Sequence, residues 1–162
     1  MTPFRAVWGK NAWGQPRPRT NDALEARRRR DLLTKRRILV VEDEALVAFY
    51  VEDVLAEHGA TVVGPAETLA AALRLAAQEA EGLHAAVLDL NLAGHLSWPV
   101  AELLDRMGVP FLILSGYGAR LLGERADLAA AACAVMAKPA HPETLVAALD
   151  RHARPAAALP PA

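Results

Sequence analysis

Arg37-Ile38-Leu39-Val40-Val41-Glu42-Asp43-Glu44 is the stretch on which the fold turns. Ile38–Val41 is a short, β-branched apolar run, as expected of a strand buried on both faces. It ends abruptly in three consecutive acids. Ala45–His58 then carries apolar residues at 46, 47, 51, 54 and 55, a helical period, and Gly59 stands where a glycine closes a helix. The stretch therefore predicts a buried strand with carboxylates at its carboxyl end, followed at once by a helix.

The same alternation continues downstream. Strands are expected at Thr61–Val63, Ala85–Leu88, Phe111–Leu114 and Ala132–Ala137. Helices are expected at Leu69–Ala80, with Thr68 as cap, at Trp98–Met107, at Ala119–Ala130 and at Pro142–His152, with Pro142 in the first turn. Five apolar strands alternating with five helices imply an α/β fold: a doubly wound parallel sheet with right-handed crossovers. In such a sheet, ligands bind beyond the carboxyl ends of the strands.

Upstream of Arg37 the character changes. Residues 1–37 hold 11 Lys and Arg against 3 acids, and residues 38–162 hold 7 against 16. A basic extension, residues 1–36, thus precedes an acidic domain, residues 37–152, and a Pro- and Ala-rich tail, residues 153–162, follows it. Prolines at 3, 16 and 18 and four consecutive arginines, Arg27 to Arg30, make the extension a disordered or weakly helical segment. Its Trp8 and Trp13 admit nucleic-acid or membrane contact, against the plainer reading of a solvated tail. A start of translation downstream, at Val7, Leu24, Leu32 or Leu33, would leave the domain intact.

Other functions are disfavoured by composition. The 162 residues suffice for one domain plus tails and for a core without staples. No apolar run reaches the roughly 18 residues of a membrane span, and no signal sequence opens the chain. Cys133 is the single cysteine, expected to be buried and inert, and no disulfide forms within the chain. His58, His84, His95, His141 and His152 show no metal spacing and are expected in loops or at the surface. Trp98 opens a helix, either facing the core or meeting a partner. These features together favour a cytoplasmic protein.

The strand ends carry the chemistry. The first delivers Glu42 and Asp43, the third Asp89 with Asn91 two residues on, the fourth Ser115, the fifth Lys138 and then Pro139. Clustered carboxylates repel unless a cation joins them, and hard oxygen ligands suit Mg²⁺. A carboxylate beside Mg²⁺ and a lysine is a plausible phosphoryl acceptor, because both cations neutralise the transferred oxygens. A hydroxyl such as Ser115 can donate to the phosphoryl group after transfer.

Val41-Glu42-Asp43-Glu44, Leu88-Asp89-Leu90-Asn91, Ser115 and Lys138-Pro139, in that order and spacing, resemble the receiver domain of bacterial response regulators over about residues 37–152. The resemblance implies a flavodoxin-like (βα)5 fold and aspartylphosphate formation at Asp89. It implies Mg²⁺ bound at Asp43, Asp89 and the backbone carbonyl of Asn91, with Glu42 helping through the metal's hydration shell. Ser115 and Lys138 would contact the phosphoryl group, and the Lys138–Pro139 peptide would be cis. The implied protein is a single-domain phosphorelay regulator without a DNA-binding output. It takes phosphate from a sensor histidine kinase or a histidine phosphotransferase, and catalyses at most its own phosphorylation and dephosphorylation.

Pro110-Phe111-Leu112-Ile113-Leu114-Ser115-Gly116-Tyr117-Gly118 is similar to the signature of the alphaproteobacterial "FAT GUY" receivers, which implies HWE-type kinases. Val135 stands where most receivers have a switching aromatic, three residues before the lysine. Gly116-Tyr117-Gly118 is then the candidate mobile element, since glycines permit large φ/ψ changes. Two rivals use the same residues. One is an Mg²⁺-dependent phosphohydrolase of the haloacid dehalogenase type, which expects Asp where Asn91 stands. The other is a receiver-like module that acts by binding without phosphorylation.

Overall fold

The computed structural model describes residues 31–116 and 122–155. The chain runs β1 (Arg37–Val41), α1 (Ala45–Glu57), β2 (Thr61–Ala66), α2 (Leu69–Glu79), a 3-10 turn at Ala80–Gly82 and β3 (Ala85–Asp89). A hairpin of two-residue strands follows, β4 (Asn91–Leu92) and β5 (His95–Leu96), and then α3 (Trp98–Arg106) and β6 (Phe111–Ser115). A 3-10 turn at Gly123–Arg125, α4 (Ala126–Ala131), β7 (Ala134–Ala137) and α5 (Pro142–His152) complete it. The five long strands form one sheet in the order β2-β1-β3-β6-β7, every neighbouring pair parallel. This is the doubly wound sheet that the alternation predicts.

Strand period two divides the core into layers. Leu39, Val41, Ala86, Leu88, Phe111 and Ile113 face one side, with Ala72 and Ala76 of α2, Val100, Ala101 and Leu104 of α3 and Leu128 of α4. Ile38, Val40, Ala85, Val87, Leu112 and Leu114 face the other, with Val51, Val54 and Leu55 of α1 and Leu145, Val146 and Leu149 of α5. Each fully buried Leu or Val contributes about 2 kcal/mol on transfer from water. β3 and β6 are buried along their whole length, as their unbroken apolar sequences require. The edge strands β2 and β7 are partly exposed, because each has a neighbour on one side only.

Several boundaries differ from those expected. β2 runs on to Ala66 past a break in register with β1 and a cis Gly64–Pro65 peptide. Gly64 has φ 109°, and a Cβ there would stand 2.7 Å from the Val40 carbonyl oxygen, so only glycine fits. β7 starts at Ala134, although the Cys133 N–H already bonds the Phe111 carbonyl. Of the helix expected at Ala119–Ala130, residues 119–121 lie outside the described residues; Leu122 is helical, and the 3-10 turn and α4 follow it. Alanines at 126 and 129–131 give α4 little side-chain surface, and Leu128 is its one buried residue. The β4–β5 hairpin was not expected at all.

Two segments read as flanks are tied to the domain, one through the core and one through polar bonds. Leu33 is fully buried among the α1 side of the core, and its N–H bonds the His58 carbonyl at 2.9 Å. At the other end Arg154 bonds the carbonyls of Gly108 and Met107 below α3. The remainder of the extension, residues 1–30, and Tyr117 and Gly118 lie outside the described residues.

Candidate functional site

β1, β3 and β6 end side by side, because Leu88 pairs with Val41 and Asp89 with Leu114. Asp89, at the end of β3, is buried and lies against an open cleft of about 520 Å³. Asp43, Glu44, Asn91, Ala93, Gly94, Gly116 and Lys138 complete the lining. Lys138, one residue past β7, reaches across the sheet. Its Nζ lies 2.7 Å from Asp89 Oδ2 and 2.8 Å from Glu42 Oε1. Glu42 Oε2 is also 2.7 Å from the ammonium, an ion pair without the angle of a hydrogen bond. Glu44 Oε1 stands further off, at 3.5 Å.

The site gathers more acids than cations. Burial raises the Glu42 pKa above its ordinary value, and the Asp89 charge adds to this while Lys138 opposes it. For Lys138, burial is the largest influence and acts to lower the pKa. Hydrogen bonds and charges from Asp89 and Glu42 outweigh it, so the ammonium is held more firmly than usual. One ammonium is shared among several acids, leaving the cluster negative.

Glu42, Asp43 and Asp89 each offer a carboxylate oxygen, and the three oxygens lie within 4.8 Å of one another. Asp43 Oδ1 is buried and has no hydrogen-bond partner among the described residues. A hard-oxygen donor set with a negative balance and an orphaned acceptor fits a divalent cation of the Mg²⁺ or Ca²⁺ kind.

The backbone around Asp89 is tied down by Asn91, which the sequence pointed to, and by Ser97, which it did not. Ser97 Oγ donates to the Asp89 carbonyl at 2.5 Å, and the Asn91 N–H donates to Asp89 Oδ1 at 3.2 Å. Ala93 and Gly94, both at positive φ, form the two-residue loop of the β4–β5 hairpin. The Ala93 N–H donates to Asp43 Oδ2 (3.0 Å) and the Gly94 N–H to Asn91 Oδ1 (2.9 Å). These bonds hold a left-handed alanine that costs about 1 kcal/mol. Tyr50 donates its hydroxyl to the Ala140 carbonyl at 2.8 Å, tying α1 to the loop after Lys138. Asn91-Leu92-Ala93-Gly94 was the available signal for the turn; Ser97 and Tyr50 gave none.

Ser115 closes β6, buried, and its carbonyl accepts the Lys138 N–H at 3.1 Å. The Lys138–Pro139 peptide is cis. Trp98 faces the core, with 6% exposure. Val135 is 42% exposed at the sheet edge, away from the cleft lining.

Two expectations need correction. Cys133 is half-buried rather than buried, because it precedes an edge strand; burial still pushes its thiol pKa up. His84 is not a surface residue: it is 1% exposed, and its Nδ1 accepts the Arg37 backbone N–H at 3.0 Å.

No protein-family model matches the chain, and no curated protein sequence does. Solved structures match well. The signal receiver domain of a modulated diguanylate cyclase from Desulfovibrio desulfuricans G20 aligns with a TM-score of 0.64 and 23% identity, covering 72% of this chain and 91% of that one. The response regulator PhyR from Brucella abortus aligns at 0.63 and 26%, covering 80% of this chain and 51% of PhyR, so this chain spans about half of it. A response regulator from Burkholderia pseudomallei, solved with a phosphorylated aspartic acid, a calcium ion and citrate, aligns at 0.60 and 28%, covering 70% of this chain and 66% of that one. The chain therefore has the flavodoxin-like fold of response-regulator receiver domains, and this similarity supports a phosphoacceptor receiver. No helix among the described residues is long and apolar enough to cross a membrane.

Proposed function

We propose that the chain is a phosphorelay receiver that accepts a phosphoryl group on Asp89 and signals through protein contacts. The observation that carries this reading is the contact of Lys138 Nζ with Asp89 Oδ2, 2.7 Å, beside the acidic group formed with Glu42 and Asp43. Attack by an Asp89 carboxylate oxygen on phosphorus breaks the donor's P–N bond, in a phosphohistidine, and forms an acyl phosphate. Lys138 neutralises charge on the transferred oxygens, and Ser115 is the hydroxyl placed at the neighbouring strand end to bond the product. Mg²⁺, held by Asp43, Asp89 and the Asn91 carbonyl with Glu42 acting through its hydration shell, would supply the remaining positive charge.

The donor on this reading is a sensor histidine kinase or a histidine phosphotransferase. The Pro110–Gly118 motif favours the FAT GUY branch and an HWE-type kinase. The hydrolase reading is weakened by Asn91 at the position where it needs a second Asp. A purely binding role is weakened by the complete set of phosphorylation residues.

Incubation with labelled acetyl phosphate and Mg²⁺ tests the assignment. Wild type should take up acid-stable, base-labile label, Asp89→Ala none, and EDTA should abolish the uptake. Equal labelling of wild type and Asp89→Ala would sink the role of Asp89. Steady phosphate release from unrelated phosphate esters would favour the hydrolase.

A further inference from the structure

Two large apolar side chains stand in solvent on one face of α1: Leu46 is 86% exposed and Phe49 69%. They are three residues apart and so adjoin on the helix surface. Asp53 and Glu57 continue the same exposed face toward the helix C-terminus. α1 contains no Lys or Arg, and Glu52, Asp53 and Glu57 have no ion-pair partner among the described residues. The face is therefore apolar at one end and acidic at the other, a pattern that suits a basic segment carrying aromatic residues.

Such a segment is tethered beside it. Residues 1–30 hold eight Lys and Arg against two acids, with Trp8 and Trp13 toward the front and Arg27 to Arg30 at the back. The described chain begins at Asp31, and Leu33 is pinned to the C-terminal end of α1 through its bond to His58 and its packing with Val51, Val54 and Leu55. The arginine run directly precedes Asp31 in sequence, so it is tethered near the end of α1 that carries Asp53 and Glu57. From Glu57 to Leu46 is about 16 Å at 1.5 Å per helical residue. The chain from Asp31 back to Trp13 can span up to about 60 Å extended. Tethering also spares the entropy of bringing two molecules together.

We propose that residues 1–30 dock on the exposed face of α1, with Trp8 and Trp13 against Leu46 and Phe49 and Arg27 to Arg30 against Asp53 and Glu57.

Acrylamide quenching of tryptophan fluorescence in the full chain tests the docking separately from any phosphorylation. Trp98 is buried and gives a constant background. Docking shields the other two tryptophans. In Leu46→Gln/Phe49→Gln, and in a chain with Arg27 to Arg30 changed to Gln, the quenching constant should rise about twofold, more at low salt than at high. The second variant alters no described residue, so it guards against a folding artefact. Equal quenching in wild type and Leu46→Gln/Phe49→Gln overturns the proposal. Shielding that disappears on dilution assigns the face to a second copy, and overturns it as well.

Discussion

Lys138 shows how much one side chain decides. It contacts carboxylates from two strand ends, Glu42 and Asp89, and is itself mostly buried. Lys138→Met keeps the stem and removes the charge, leaving two buried acids without their cation. The expected cost is about 3 kcal/mol, read from urea unfolding. Protonation of Glu42, whose pKa is already raised, limits the loss. Adding Asp89→Asn should restore part of it, with a coupling of about 1–2 kcal/mol in the double-mutant cycle. Additive losses would show that the two groups do not share the charge. Asp89 and Lys138 were both legible in the sequence, because each directly follows an apolar run. Ser97 was not, because its bond to the Asp89 carbonyl depends on how the β4–β5 hairpin folds back.

At the scale of elements, the caps separate helices held locally from those held by packing. Thr68 accepts the Ala71 N–H at 3.2 Å at the start of α2, whereas Glu44 before α1 and Ser97 before α3 make no side-chain cap bond. Thr68→Ala should therefore cost about 1 kcal/mol, seen as a lower thermal midpoint. An unchanged midpoint would mean that packing alone fixes the start of α2. Strands and long helices were read correctly where four or more apolar residues, or several helical turns, repeat a period. The β4–β5 hairpin escaped because two-residue strands carry no period. α4 ends one residue past the expected Ala130, because a run of alanines gives a helix end no distinct mark.

On the scale of the molecule, the end of the sheet opposite the cleft holds a pH-sensitive joint. His84 accepts the Arg37 N–H through Nδ1, which must therefore be unprotonated, and its carbonyl accepts the Arg154 N–H. Burial lowers its pKa below 6.5, and the charges of Arg36, Arg37 and Arg154 add to this. A depressed base is neutral in the folded chain while the unfolded chain takes up protons. Its share of stability is complete above 6.5 and falls as pH drops from there toward the folded value. His84→Asn retains an acceptor that does not titrate. Urea midpoints measured above and below 6.5 should fall less in this variant than in wild type; an equal fall would place the titration elsewhere.

By itself the sequence determined the α/β class, the order of strands and helices, and which strand ends bear acids and a lysine. Those properties follow from local apolar periods and from turn residues, which short windows reveal. Only the tertiary structure decided that Lys138 lies against Glu42 and Asp89, and that Asp43 is buttressed by a left-handed alanine. It also decided that Leu33 belongs to the core and that His84 is buried. Each of these depends on contacts between residues distant in the chain, made only when the sheet closes and water is excluded.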